Sequence, residues 1–244
     1  MRHPATSYFI CATPRSGSTL LCGLLASTDV AGRPESYFRA PDQQSWADRW
    51  KLPRDLGGGI DYSAFVRAAQ GAGSTPNGVF AARVMWGTMD ELVANLRGVG
   101  ATGTDLDVLR QAFGPVRFVF LPRRDTVAQA VSWARAEQTQ YWHPGDTAFS
   151  VPTYNYEEIR RWHVLIGGHN TAWRYWFGRH DLKPYELWYE ALAANPTAAA
   201  RALLSALELP LSPGDRIVAR DRRQADQTNA DWIARYRAAV GSAP

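Results

Sequence analysis

The chain has 244 residues, of which 45% are hydrophobic and 20% charged, an ordinary globular balance with enough apolar content for one sizeable domain. Its longest apolar runs, such as Phe118-Val119-Phe120-Leu121, are strand-sized, which excludes a helix that spans a bilayer. The formal net charge of +4 favours an anionic partner without choosing between nucleic acid, anionic lipid and a phosphate-rich small molecule.

The opening MRHPATSYFI has no charged-then-apolar segment with a small-residue cleavage site, so a secretory leader is not expected. Cys11 and Cys22 are too far apart for a C-x-x-C pair. They are expected to pack as small apolar residues in a reduced, cytoplasmic setting. Residues 7–12, SYFICA, read as a buried strand, TPRSGS as a turn-rich loop, and TLLCGLLAS as a helix. Residues 39–60, with Pro41, Pro53 and Gly57-Gly58-Gly59, form the segment most expected to be irregular. A second strand is predicted over Gly78–Val84 after the turn signal Thr75-Pro76-Asn77-Gly78. A third is predicted over Val116–Leu121, ended by Pro122 and followed by a helix from about Asp125 to Gln138 with Asp125 as its N-cap.

A long aromatic helix is predicted from about Asn155 to Phe177, with a break expected at Gly167-Gly168. Beyond it come a short strand over Tyr185–Tyr189, a helix opened by Asn195-Pro196 and running through Leu207, and a final helix to about Val240. This alternation of strands and helices predicts an α/β fold. The expected architecture is a single P-loop-like domain over residues 1–244, with a central, mostly parallel sheet flanked by helices.

The loop in ATPRSGSTLL carries the chemistry. Aligned on G-x-x-x-x-G-K-[ST], Gly17 and Thr19 fit, Ala12 replaces the first glycine, and Ser18 stands where the lysine belongs. The neighbouring strand end, FVFLPRRD, presents Arg123 and Arg124 before any acid. The apparatus for Mg²⁺-dependent triphosphate hydrolysis is therefore incomplete, which argues against a P-loop kinase. What remains is an anion cradle. Backbone N–H groups from Arg15 to Thr19 would converge at a helix N-terminus, and Ser16, Ser18 and Thr19 add hydroxyls. Arg15 adds a permanent planar charge suited to a monophosphate. The plainer alternative is a strand–helix turn with a capping serine.

The second basic point is Arg123-Arg124-Asp125 with Ser132 two helical turns on. Because loops at the carboxyl ends of adjacent parallel strands share a crevice, Arg123 and Ser132 would face a second phosphate there. A surface Arg–Asp pair capping a helix explains the same residues. The third is Arg222-Arg223-Gln224, which also fits a solvated polar linker.

Five motifs in register over nearly the whole chain carry a resemblance: FICATPRSGSTLL, VAGRPESYF, PNGVFAARVMW, RRDTVAQAVSW and RRQADQTNADWIARY. Together they resemble the PAPS-dependent sulfotransferases (PAPS is 3′-phosphoadenosine 5′-phosphosulfate), most closely the trehalose 2-sulfotransferase family. The resemblance implies that Arg15, Ser16, Gly17, Ser18 and Thr19 grip the 5′-phosphosulfate, and that Arg123 and Ser132 bind the 3′-phosphate. It also implies that Arg223, Gln224 and Asp226 belong to a loop closing over the nucleotide, and that a homodimer forms. Arg15 would meet the charge developing on the departing 5′-phosphate without a metal, leaving PAP (adenosine 3′,5′-bisphosphate) as product.

The resembling family carries its base in a G-x-P-x-E-[FY]-F context. Here Gly32-Arg33-Pro34-Glu35-Ser36-Tyr37-Phe38 places the glutamate one position early. Glu35 is the candidate catalytic base, with an ion pair to Arg33 or Arg39 as its plainer role. Ser36 stands at the family's glutamate position, and adjacent side chains on an extended segment point to opposite faces. His143 is the reserve base, although a histidine beside Trp142 and Pro144 more often serves packing. The remaining histidines lack zinc-ligand spacing, so no metal is expected.

The expected acceptor is a carbohydrate or glycolipid hydroxyl, with Trp46, Trp50 and Trp142 as candidate sugar-facing rings. Trp162, Trp173 and Trp176, at helical spacing, are expected in the core. The competing classes are a P-loop kinase, a nucleic-acid-binding module and a non-catalytic PAP-binding homologue. The scattered, loop-end arginines argue against nucleic acid, whereas the displaced glutamate is what a non-catalytic homologue would show.

Overall fold

The computed structural model describes residues 4–54, 57–142, 149–209, 211, 216–218 and 227–241. His143, Arg222, Arg223, Gln224 and Asp226 lie outside the described residues. In chain order the elements begin with β1 (Thr6–Ala12), α1 (Ser18–Ala26), α2 (Ala40–Arg49) and α3 (Tyr62–Gly73). Next come β2 (Val79–Met85), α4 (Thr88–Gly98), α5 (Asp105–Phe113) and β3 (Val116–Leu121). The rest are α6 (Thr126–Thr139), α7 (Tyr156–Arg179), β4 (Tyr185–Glu186), α8 (Tyr189–Ala194), α9 (Pro196–Ala206) and α10 (Gln227–Gly241).

The four strands form one sheet in the order β2-β1-β3-β4, and every pair is parallel. The sheet is thus the α/β arrangement expected from the alternating pattern. β1 lies between β2 and β3, so the loops leaving their carboxyl ends open onto one crevice, where ligands of such sheets bind.

β1 is apolar on both sides because both of its faces are covered. Phe9 and Cys11 pack into one core with Phe38, Phe80, Phe113 and Phe118. Tyr8, Ile10 and Ala12 pack into the other with Leu21, Leu24 and Leu25 of α1 and Leu203 of α9. Each large side chain fully buried in this way contributes about 1.5–3 kcal/mol. Both cysteines are buried, as small apolar residues would be.

Three departures from the sequence expectations have local causes. Within residues 39–60, α2 forms because Pro41 falls in the first turn, where its missing N–H costs nothing. Trp46 and Trp50, one turn apart, stack at 5.2 Å and lean on Tyr37. α7 runs unbroken through Gly167-Gly168. Both glycines face open space, and flanking Ile166, Asn170 and Trp173 are buried, so packing outweighs glycine's cost of about 1 kcal/mol per residue. The strand expected over Tyr185–Tyr189 shortens to two residues, but the chain keeps following β3. Leu187 N–H donates to Phe120 O at 2.9 Å and Tyr189 N–H to Pro122 O at 2.9 Å.

Candidate active site

The loop after β1 is held from behind before it holds anything. Trp173 Nε1 donates to the carbonyl of Ala12 at 3.1 Å, tying α7 to the strand end. The buried amide of Gln129 on α6 donates to Thr13 Oγ1 and to Pro14 O, both at 2.7 Å. Arg15 and Gly17 then adopt left-handed conformations, with φ of 63° and 84°. At Gly17 a side chain would also collide, since a Cβ there would lie 2.6 Å from the Tyr189 ring.

α1 starts at Ser18 with Gly17 as its N-cap. No side chain caps it and no acidic residue lies in its first turn, so its positive end is left for another group. Ser16 Oγ is fully buried and has no hydrogen-bond partner among the described residues. A turn with a capping serine does not describe this loop. A buried hydroxyl and a bare helix terminus are groups that phosphate or sulfate oxygens can satisfy.

Arginines from separate elements meet beside the loop. Arg15 donates from Nε to Ser132 Oγ and from Nη1 to Trp142 O, each at 3.0 Å. Arg123 donates from Nη1 to Arg15 O at 3.3 Å, with its guanidinium 4.4 Å above the Tyr189 ring. Burial first, then the like charges of Arg123 and Arg135, lower the pKa of the Arg15 guanidinium. Arg135, one turn beyond Ser132, donates to Asn229 Oδ1 at 2.7 Å and so ties α6 to the start of α10.

Arg124 turns the other way, over Trp188. Asp125 caps α6 by accepting from Ala128 N–H at 3.0 Å, and its ion-pair partner is Arg237. The helix-capping explanation therefore holds for Asp125 but not for Arg123, which faces the loop. The turn carrying Arg123 is itself held by Glu190, whose carboxylate accepts from Arg124 N–H at 3.0 Å and Asp125 N–H at 3.3 Å.

The segment carrying the candidate base runs beside β2. Arg83 N–H donates to Glu35 O at 2.9 Å, which registers the segment against the strand. Glu35 is exposed and makes no side-chain hydrogen bond or ion pair with a described residue. Arg33 pairs instead with Asp29, and Arg39 with Asp42. Ser36 is the residue that faces inward: its Oγ accepts from Arg83 Nε at 2.9 Å. Arg83 Nη1 continues to Thr19 Oγ1 at 2.9 Å and Ser18 Oγ at 3.5 Å.

The structure thus gathers Arg15, Ser16, Gly17, Ser18, Thr19, Arg123 and Ser132 in one crevice and leaves Glu35 at its rim. Sequence reasoning missed Arg83, Gln129, Arg135 and Tyr189. Arg83 did carry a signal, as the one charge inside the apolar run GVFAARVMW. Tyr189 carried none, because its place depends on β4 pairing with β3. Trp46 and Trp50 are half-buried against Tyr37 and Phe65, and Trp173 and Trp176 are core residues.

An all-parallel sheet whose central strand feeds a lysine-free anion loop, flanked by arginines, defines a P-loop-like protein that handles phosphate or sulfate groups. Residues 7–239 match the model of the Stf0 sulphotransferase family, and the chain belongs to that family. It is 30% identical to trehalose 2-sulfotransferase of Mycobacterium tuberculosis, across 98% of this chain and 97% of that one. It is 31% identical to trehalose 2-sulfotransferase of Mycolicibacterium smegmatis, across 96% and 95%. Among solved structures, a sulfotransferase from Alicyclobacillus acidocaldarius has the same fold at a TM-score of 0.51 and 14% identity, covering 100% of this chain and 98% of that one. The sulfotransferase domain from the curacin biosynthetic pathway matches at 0.51 and 16%, covering 98% and 99%. No described helix is long and apolar enough to cross a membrane.

Proposed function

We propose that the chain, acting as one domain, transfers a sulfuryl group from PAPS to a hydroxyl of a carbohydrate or glycolipid acceptor. The observation that carries this reading is the contact of Arg15 with both Ser132 and Arg123. It joins the anion loop to a second basic motif in one crevice. A donor with a phosphate at each end of its ribose needs two such anchors, and a nucleoside triphosphate does not. Trehalose, named in both mycobacterial relatives, is the first acceptor to test.

In this reading the loop N–H groups, the Ser16 hydroxyl and Arg15 hold the 5′ end, and Arg123 with Ser132 holds the 3′-phosphate. Arg223 and Gln224 add the closing contacts. The acceptor oxygen forms a bond to sulfur as the bond from sulfur to the 5′-phosphate oxygen breaks. The phosphate keeps the electron pair, and the acceptor proton passes to a base. Positioning and fixed donors supply most of the acceleration in such a transfer.

Two experiments test it. In a calorimeter, PAP binds without metal and ATP–Mg²⁺ does not. Arg123→Ala weakens PAP about 10- to 100-fold, the effect of removing a charged hydrogen-bond donor. Preferred binding of ATP–Mg²⁺ would overturn the reading. Glu35→Gln then lowers kcat about 10²–10⁴-fold with PAP affinity unchanged, the usual contribution of a general base. An unchanged kcat removes Glu35 from that role. Tight PAP binding without transfer to any sugar identifies a non-catalytic homologue.

A further inference from the structure

Resting on the reading above, the geometry points to Arg83 as a catalytic residue that contacts the transferring sulfuryl group, held in place by Ser36. Arg83 sits on β2 opposite Ile10 of β1, two positions before the strand ends. Its neighbours on the same face, Ala81 and Met85, pack toward α1, so its side chain runs along that face to the first turn of α1.

There its guanidinium is bonded on one side to Ser36 Oγ and on the other to Thr19 and Ser18 Oγ atoms. All three partners are neutral hydroxyls, and Arg83 forms no ion pair with a described residue. A half-buried guanidinium is normally matched by a carboxylate, and a cation beside a helix N-terminus is disfavoured. Both features are resolved when an anion lies between Arg83 and the loop. In the same loop the fully buried Ser16 Oγ, with no hydrogen-bond partner among the described residues, is a second donor left for an anion.

The two loop-side arginines then divide the donor between them. Arg15 is turned toward Ser132 and Trp142, which is the nucleotide-phosphate side. Arg83 is turned toward the hydroxyls at the start of α1, where the sulfuryl oxygens meet the acceptor. As sulfur moves from the phosphate oxygen to the acceptor oxygen, the sulfuryl oxygens must be held so that the two oxygens stay in line with sulfur. A fixed guanidinium fork there steadies them with no rearrangement at the moment of transfer. Ser36 is a positioning residue. It has no charge to offer the reaction, and it fixes the Nε edge of the fork so that the Nη atoms face the loop.

This assignment separates PAPS from PAP, since only PAPS carries the group Arg83 touches. The test measures affinity for both by calorimetry, without acceptor, in the wild type, Arg83→Gln, Arg83→Lys and Ser36→Ala. Thermal unfolding of each variant provides a folding control. In Arg83→Gln, PAPS weakens about 10- to 100-fold while PAP changes less than about 3-fold. Arg83→Lys recovers part of the PAPS affinity, and Ser36→Ala shows a smaller loss of the same selectivity. With trehalose as the probe acceptor, the loss in Arg83→Gln falls on kcat as well as on KM for PAPS.

Equal weakening of PAPS and PAP, or no change in either, overturns the role of Arg83 while leaving the PAPS reading intact. Should the wild type bind neither nucleotide, the PAPS reading fails and this inference falls with it.

Discussion

Arg15→Ala lowers kcat/KM for sulfate transfer about 10²–10³-fold, the loss typical when one fixed donor to a developing anion is removed. The size follows from its position. Its side chain reaches Ser132, and its carbonyl receives Arg123, so the residue links the loop to the second basic motif. Arg15→Lys recovers little, because an ammonium cannot bond Ser132 and Trp142 in the planar geometry of the fork. Steady-state kinetics with PAPS and trehalose provides the measurement, with PAP calorimetry to separate binding from transfer. Retention of activity within about 3-fold would show that the loop backbone and Arg123 suffice without the Arg15 side chain. Part of the loss is expected in PAP affinity, since the substitution removes one of the like charges gathered at the loop.

Trp173→Ala is the substitution with the largest expected effect on stability, about 3–5 kcal/mol. Trp173 is fully buried, stacks on Phe177 with ring centroids 5.6 Å apart, meets Trp86 edge-on at 5.0 Å, and donates to Ala12 O. Truncation leaves a large cavity and removes the N–H that reaches the Ala12 carbonyl at the mouth of the loop. For a chain of this size the loss lowers Tm by roughly 10 °C, read by circular dichroism. Trp173→Phe keeps most of the packing and removes only the N–H. It should cost about 1–3 kcal/mol and weaken PAP, because the strand end that launches the loop loses its tether. A Tm within about 2 °C of wild type for Trp173→Ala would show that α7 repacks and that the indole is not what holds the strand end.

The substrate class and the stability of the fold thus meet at one place, the carboxyl end of β1. Gln129, Trp173 and Tyr189 approach it from α6, α7 and the β4–α8 junction, and none of the three touches it through a charge. They determine the shape of the loop, and the arginines give it its charge. Glu190 does the same for the turn that carries Arg123. Substitutions in the two groups are therefore separable: shape residues move Tm and affinity together, and arginines move affinity with Tm nearly unchanged.

Much of this was legible in the residues themselves. The short apolar, aromatic runs SYFICA and VRFVFL placed β1 and β3 within one residue of where they lie, because a strand buried on both faces shows as a continuous apolar run in the local sequence. Asp125 and Asn195 were legible as helix caps for the same reason. The lysine-free, glycine-bearing loop between β1 and α1 was legible because its N–H groups and hydroxyls follow from its local sequence. Pattern reading failed where packing outvoted propensity, as in the unbroken α7 and in α2.

What the sequence by itself determined is therefore the fold class, the anion loop and the kind of charge beside it. Tertiary structure alone decided which of two adjacent residues turns inward. Arg83 N–H binds Glu35 O and sets the register of the segment, and that choice sends Ser36 to the guanidinium and leaves Glu35 in solvent. It also decided where Arg83 of β2 and Tyr189 at the start of α8 end up, far apart in sequence yet both against the same loop. The physical reason is common to both. A shift of one residue in register sends a side chain to the opposite face, and register between segments distant in sequence is set by pairing and packing that no local pattern encodes.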